Sequence, residues 1–344
     1  MPLRLAFAKL LIVLSGLTIF IGLLSCRQKN KKGLIVDSNI IKLAIIDDGP
    51  RLTEIIHVEP IATDSMIILD TTHQLYLFVK NRFNKILGTK GKGPYEYNLV
   101  RSFTTNGDTL FVYDQSLSKL LSYSIKTNEG LQEIRLEDLF SSVVCVKGAL
   151  YLGYTEYTAA TNLNKPLLYE LDTNHRAVPL NFEFSNLQAN VFLAPLKIQT
   201  SLKKKNGAIY FSPPFSNKVF VYDTHAKIFS SFNLVLDSPH DKDFKSISDA
   251  MVIMKLINEK FELVFGLFLL ENYIALVSKK GRVPHDRWKI RFYSYSGEYK
   301  HEITTNKYVF AVDENSFSRI TLDLDNAGLD HPYVVLKQNY KIID

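Results

Sequence analysis

Gly88-Thr89-Lys90-Gly91-Lys92-Gly93-Pro94-Tyr95-Glu96-Tyr97 separates two stretches built on one plan. Before it, Met66-Ile67-Ile68-Leu69-Asp70 is followed by a short polar break and Leu75-Tyr76-Leu77-Phe78. After it, Leu110-Phe111-Val112-Tyr113-Asp114 is followed by another break and Lys119-Leu120-Leu121-Ser122-Tyr123. Each half reads as two β-strands joined by a polar turn. Gly88, Gly91 and Gly93 open backbone angles closed to other residues and Pro94 fixes φ, so the stretch between them is a sharply turned connection.

The plan recurs. An apolar strand, a polar turn and an aromatic strand appear at Met66 to Phe78, Leu110 to Tyr123, Leu150 to Leu171, Ile209 to Tyr222 and Ile274 to Tyr295. Their anchors Asp70, Asp114, Tyr154, Ser212 and Ser278 stand 44, 40, 58 and 66 residues apart. Spacings of this size suit four-stranded units in a repeat architecture, with insertions in the later ones. Asp70 and Asp114, placed alike at strand ends, are expected to accept backbone N–H bonds from the following turn. In the third and fifth units the turn lengthens to Tyr154–Pro166 and Lys279–Trp288, and loops of this kind carry specificity.

The chain of 344 residues is rich in Tyr (18) and Phe (22), which favours strands over helices. Lys90-Gly91-Lys92-Gly93-Pro94-Tyr95-Glu96-Tyr97 resembles the Gly-Pro-Gly-Glu-Tyr-like loop between two blades of the six-bladed β-propeller lipoproteins of Bacteroidota, with their NHL-like blades. The resemblance covers about Leu52 to Tyr123 and departs at Tyr95, where the family pattern has Gly. It implies an all-β, six-bladed propeller over residues 35–344, with two β-sandwich domains as the runner-up. It carries over no activity.

Three other stretches bear on that architecture. Ile40 to Ile46 is a strand with no hairpin partner, and Tyr333 to Leu336 and Tyr340 to Ile343 read as strands at the other end. Pairing them within one blade would close a ring. Over residues 246–265, Ile247, Met251, Met254, Ile257, Phe261 and Val264 fall at helical spacing, which predicts one inserted amphipathic helix.

The first 25 residues form an export signal: Arg4 and Lys9, an apolar run from Leu10 through Leu24, then Cys26. Leu23-Leu24-Ser25-Cys26 resembles the lipobox of bacterial lipoproteins, which implies lipidation of Cys26. Residues 26–34 then read as a polar, basic tether. No acidic cluster follows Cys26, so the expectation is an outer-membrane protein facing the periplasm. With Cys26 lipidated only Cys145 remains, a small buried hydrophobe within Val143 to Val146.

Cleavage removes two cations and leaves 39 basic against 35 acidic residues. The short runs Lys29 to Lys32 and Lys203-Lys204-Lys205 lack the interleaved aromatics of a nucleic-acid surface and read as a tether and a solvated turn. No nucleophile elbow, phosphate loop or zinc spacing occurs among the motifs. Asp323 to Gly328 begins like a calcium loop but has Ala327 at a ligand position, and Asp237 to Asp243 reads as a solvated loop. Neither a cofactor nor a metal is expected.

The function expected is a noncatalytic binding or scaffold module for an envelope protein, glycan or peptide. Its candidate contacts are Tyr157, His285, Arg287 and Trp288 on the two long loops. The competing class is a hydrolytic, lactonase-like propeller with its site in the central funnel.

Overall fold

Short runs of alternating aromatic and β-branched residues, each ended by an Asp, Asn or Gly turn, form 26 strands among the described residues of a computed structural model. It describes residues 33–45, 55–62, 65–80, 82–154, 168–180, 201–212, 217–236, 259, 262–280, 288–305, 309–313, 316–322 and 333–343. The chain divides into a large unit, Val36–Tyr340, and a small one of Met1–Ile35 with Lys341–Asp344.

Strand β1 (Gly33–Ile45) precedes five consecutive four-stranded meanders, and it begins inside the segment read as tether. The first blade is β2 (Ile55–Ala62), β3 (Ser65–Asp70), β4 (Leu75–Val79) and β5 (Arg82–Leu87). After the short pair β6 (Thr89–Lys90) and β7 (Glu96–Tyr97) comes the second: β8 (Val100–Asn106), β9 (Thr109–Asp114), β10 (Lys119–Ser124) and β11 (Gly130–Arg135). The third is β12 (Phe140–Val146), β13 (Ala149–Tyr154), β14 (Leu168–Leu171) and β15 (Ala177–Pro179). The fourth is β16 (Ser201–Lys205), β17 (Ala208–Ser212), β18 (Lys218–Asp223) and β19 (Ile228–Asn233). The fifth is β20 (Glu262–Leu269), β21 (Tyr273–Lys280), β22 (Trp288–Ser294) and β23 (Tyr299–Thr305). The sixth runs β24 (Val309–Asp313), β25 (Ser316–Leu322) and β26 (Tyr333–Ile343), and β1 lies beside β26 as its fourth strand.

Every repeat read from the sequence is therefore the central hairpin of a blade, and the expected pairing of terminal strands is present. Three expectations need correction. Residues 333–343 form one strand rather than two. Glu262 to Phe265, the end of the predicted helix, lie in β20, where Leu263, Val264 and Leu267 are drawn into the core by cross-strand packing. The run Lys203-Lys204-Lys205 is the heart of β16 rather than a turn. Of the rest of the predicted helix only Glu259 is described, with helical backbone, and both acidic clusters lie outside the described residues.

The first strands of the blades touch in sequence, β8 with β12, β12 with β16, β16 with β20, β20 with β24, and β24 with β2. Buried apolar side chains fill the spaces between neighbouring blades. Ile67, Leu69 and Leu77 of the first meet Phe103, Val112 and Leu121 of the second; Tyr113 and Leu120 meet Phe140 and Leu152; Tyr151 and Leu168 meet Ile209 and Phe220; Val219 meets Val264, Leu276 and Tyr293. The period-2 alternation of each strand serves both of its neighbours, and burying one such aromatic contributes about 2–3 kcal/mol. These contacts run around a ring, so the first strands line its axis.

The loop Gly88–Tyr97 is a staple between the first two blades. Tyr97 is fully buried, donates from Oη to the Leu87 carbonyl at 2.7 Å and meets Tyr123 edge-on. The Gly93 amide donates to Glu96 Oε2 at 2.7 Å, and Gly91 N–H donates to the Tyr97 carbonyl at 2.9 Å. A Cβ on Gly91 would collide with the Glu96 carboxylate, so the glycine is required by close approach. Tyr95, standing where the family pattern has Gly, keeps the left-handed backbone that Gly would take, at φ 53°.

The two aspartates do what their position implies. Asp70 accepts the amides of Thr72 at 3.0 Å and Gln74 at 3.1 Å. Asp114 accepts those of Ser116 at 2.8 Å and Leu117 at 3.1 Å, and also reaches back to Leu99 and Asn98. Both carboxylates are fully buried.

Candidate functional site: the mouth of the axial channel

In an up-and-down meander the first and third turns of every blade lie on one face, and the second turns and blade-to-blade connections on the other. The ends of β13 and β14, and of β21 and β22, are joined by second turns. The connections 155–167 and 281–287 therefore leave the same face as Gly88–Tyr97. Tyr157, His285 and Arg287 lie outside the described residues, as does Cys26. Trp288 is described. It opens β22, is 8% exposed, meets Phe265 edge-on at 4.8 Å and lies under the Lys279 ammonium at 5.3 Å. It is a packed anchor for its blade and not the exposed stacking surface its loop position suggested, because strand pairing with Lys279 draws it inward.

On the opposite face the first strands bring charged groups together around the axis. β2 supplies His57 and Glu59, β8 supplies Phe103 and Thr105, β16 supplies Lys203 and Lys204, and β20 supplies Phe268. Glu59 Oε1 accepts the Thr105 amide at 3.2 Å and its hydroxyl at 3.3 Å, which ties the first blade to the second. Glu59 Oε2 stands 3.9 Å from His57 Nε2, and His57 sits edge-on against Phe103 at 5.1 Å. From the fourth blade Lys204 Nζ reaches across to the Thr105 carbonyl at 2.7 Å, while Lys203 Nζ lies 5.9 Å from the Phe268 ring. Lys205 caps the carbonyls of Leu270 and Glu271 and lies over Tyr295 at 4.6 Å.

The electrostatics follow from enclosure. Burial and the neighbouring Lys203 charge hold the His57 imidazole below its ordinary range, against the opposite pull of Glu59. Burial pushes the Glu59 carboxyl up, but His57, Lys203 and Lys204 outweigh it and bring its pKa down. Burial lowers the Lys203 ammonium, and Glu59 only partly offsets this. Next to them Cys145 is a buried thiol whose pKa burial raises, an inert packing group as its apolar setting implied.

A second charged cluster lies inside the fifth blade. Arg291 makes a bidentate pair with Glu262, at 2.5 and 2.9 Å, and also bonds Ser278 at 2.9 Å and Glu302 at 2.9 Å. Arg291 and Glu262 are both about 5% exposed. Such closure on itself marks a structural network rather than a site.

The axial cluster was not legible in the sequence, because its members lie on four strands far apart in the chain. The one available signal was a basic triplet directly before Asn206-Gly207, a hairpin turn signature that places the lysines on a strand.

The architecture agrees with what related proteins show. A family model described as a 6-bladed beta-propeller matches residues 35–276. The chain belongs to that family. A Bacteroides fragilis protein assigned as exported has a similar structure, with a TM-score of 0.66 at 15% identity over 90% of this propeller and 96% of that chain. The extracellular domain of a one-component system from B. thetaiotaomicron is also similar, with a TM-score of 0.47 at 13% identity over 82% of this propeller and 33% of that chain. Among curated proteins none matches the propeller.

Proposed function

We propose that this propeller is an exported, lipid-anchored, noncatalytic binding module that presents one face to a protein, glycan or peptide of the cell envelope. The observation that carries the reading is the common face of two lengthened second turns, those of the third and fifth blades. Connections 155–167 and 281–287 leave the ring on the side of the Gly88–Tyr97 staple, where buried strands fix their ends. A ring of packed sheets with long connections leaving one face suits recognition. Tyr157, His285 and Arg287 are the contact residues of choice, and Cys26 the lipid-bearing one, in the outer membrane facing the periplasm. The resemblance of Leu23 to Cys26 to a lipobox and the exported Bacteroides relative support that location.

A metal-dependent hydrolase would gather carboxylates and imidazoles at the axis. Among the described residues the axial groups are two ammonium groups, the His57 imidazole and one carboxylate already holding Thr105, a set with more positive than negative charge.

Affinity capture from the native membrane tests the reading. The wild-type protein should retain a partner that Arg287→Ala and Tyr157→Ala retain at least tenfold less. Equal recovery by all three would remove these loops from the interface. Trp288→Ala is no substitute, because deleting a buried ring costs about 3–5 kcal/mol of stability. Separately, Cys26→Ala should shift the protein to the soluble fraction or leave an uncleaved precursor, and unchanged partition with intact processing would refute the anchor.

A further inference from the structure

The outer strand of a blade turns a row of peptide N–H and C=O groups away from its own sheet, and such an edge is a template for pairing with another chain. Five of the six outer strands carry residues that discourage this: Arg82 and Lys85 in β5, Glu133 and Arg135 in β11, Pro179 in β15, Lys300 and Glu302 in β23, and Asp37 and Lys42 in β1. β19 carries none. From Ile228 through Leu236 the run Ile-Phe-Ser-Ser-Phe-Asn-Leu-Val-Leu has no charge, proline or glycine. It holds the most exposed large apolar side chains among the described residues, Ile228 at 63% and Val235 at 62%. Ser230, Ser231 and Asn233 between them are exposed as well.

We infer that β19 pairs edge to edge with β19 of a second copy of this chain, antiparallel about a twofold axis, so that two fourth blades join into one sheet. Charge selects that occupant. In sequence the run follows Lys227 and precedes Asp237, so antiparallel pairing brings the basic end of each copy toward the acidic end of the other, with no like charges opposed between them. The backbone selects the register. Leu234 N–H donates to the Asn217 carbonyl at 2.6 Å, just beyond the ladder that sets Phe232 opposite Val219 and Ser230 opposite Val221. Alternate residues of an antiparallel strand turn their peptide groups to opposite sides, so Phe229, Ser231 and Asn233 turn theirs outward. A twofold axis at Ser231 uses all three: Ser231 meets its own copy, and Phe229 meets the second copy's Asn233. The contact is short, below the roughly 1,200 Å² at which stable interfaces begin, so the pair is weak and depends on concentration. It is independent of the loop face, since it lies at the outer edge of a blade.

Oxidative cross-linking and sedimentation of the full-length protein in detergent test this. Ser231→Cys should form a disulfide-linked dimer, because its copy stands directly opposite, at about 5.5 Å between Cα atoms. Ser230→Cys should give at least tenfold less, since its own copy is two residues out of step, about 8 Å away and beyond disulfide reach. Cys145 is buried and does not compete. Ser231→Lys, which opposes two like charges at an exposed position, should weaken self-association at least tenfold with an unchanged melting temperature. A wild-type chain still monomeric at about 100 µM, equal cross-linking of the two cysteine variants, or a Ser231→Lys variant that dimerises like wild type would each overturn the inference. So would pairing of β19 with a strand of a different protein in place of its copy. None of these outcomes bears on capture by the loop face.

Discussion

The Tyr123 hydroxyl donates to the Tyr95 carbonyl at 2.8 Å, and this bond holds a tyrosine in the left-handed region at φ 53°. A further clasp comes from the Tyr95 amide, which donates to Glu133 Oε2 at 3.0 Å. Glu133 is itself paired with Lys119 at 2.9 Å, and Lys119 also reaches the Gly93 carbonyl at 3.2 Å. The second blade thus overrides the backbone preference of the residue.

Tyr95 should accordingly tolerate glycine and reject a β-branched residue. Tyr95→Gly relieves left-handed strain but loses the contact with Gly130, so its stability should stay within about 1 kcal/mol of wild type. Tyr95→Val should lose about 2 kcal/mol. Urea unfolding measures both, and a valine variant as stable as wild type would show that the strain is absent.

Asp114→Ala should cost about 3 kcal/mol in the same assay, because the Ser116, Leu117 and Leu99 amides lose a buried acceptor together. Asp114→Asn, which keeps one acceptor oxygen, should cost roughly half as much. A loss equal in both variants would mean that charge, and not hydrogen-bond count, governs the turn.

Breaking the fifth-blade network from one side should be worse than removing it. Glu262→Ala leaves the buried Arg291 guanidinium with less compensation and should cost about 3–4 kcal/mol. Glu262→Met with Arg291→Met should recover at least half of that loss. A double variant no better than the single would show that the network is needed for packing.

Stability should fall on mild acidification through His57. Its folded pKa lies below the ordinary value of 6.5, so as pH drops the unfolded chain takes up a proton first and the folded state loses ground until the folded imidazole also titrates. Lys203 opposes that protonation and Glu59 favours it. Between about pH 7 and about pH 5, His57→Gln should show a shallower decline in melting temperature than wild type. Identical slopes would exclude His57 as the source.

The central hairpins were legible because their alternation is complete: Leu110, Val112 and Tyr113 face packed neighbours and Asp114 ends the strand with its own turn signal. Lys203 to Lys205 were illegible as a strand because their ammonium groups reach carbonyls and rings of other blades, so the run carries no apolar alternation. Val264 fitted helix and strand alike, and only cross-strand pairing with Ser278 decides it. Trp288 looked like a contact residue because its loop was long, whereas its partner on the neighbouring strand settles its burial.

The seating of β1 beside β26 sets the span of the ring's closing contact. Almost the whole chain is made between these two strands, so the closing ladder joins the partners most distant in sequence and bears the largest loop-closure entropy in the ring. Until β26 emerges, β1 has no partner and the sixth sheet lacks two of its four strands. The chain must keep a bare strand edge shielded from its neighbours while it is being made, and only with the final strand can the circle lock.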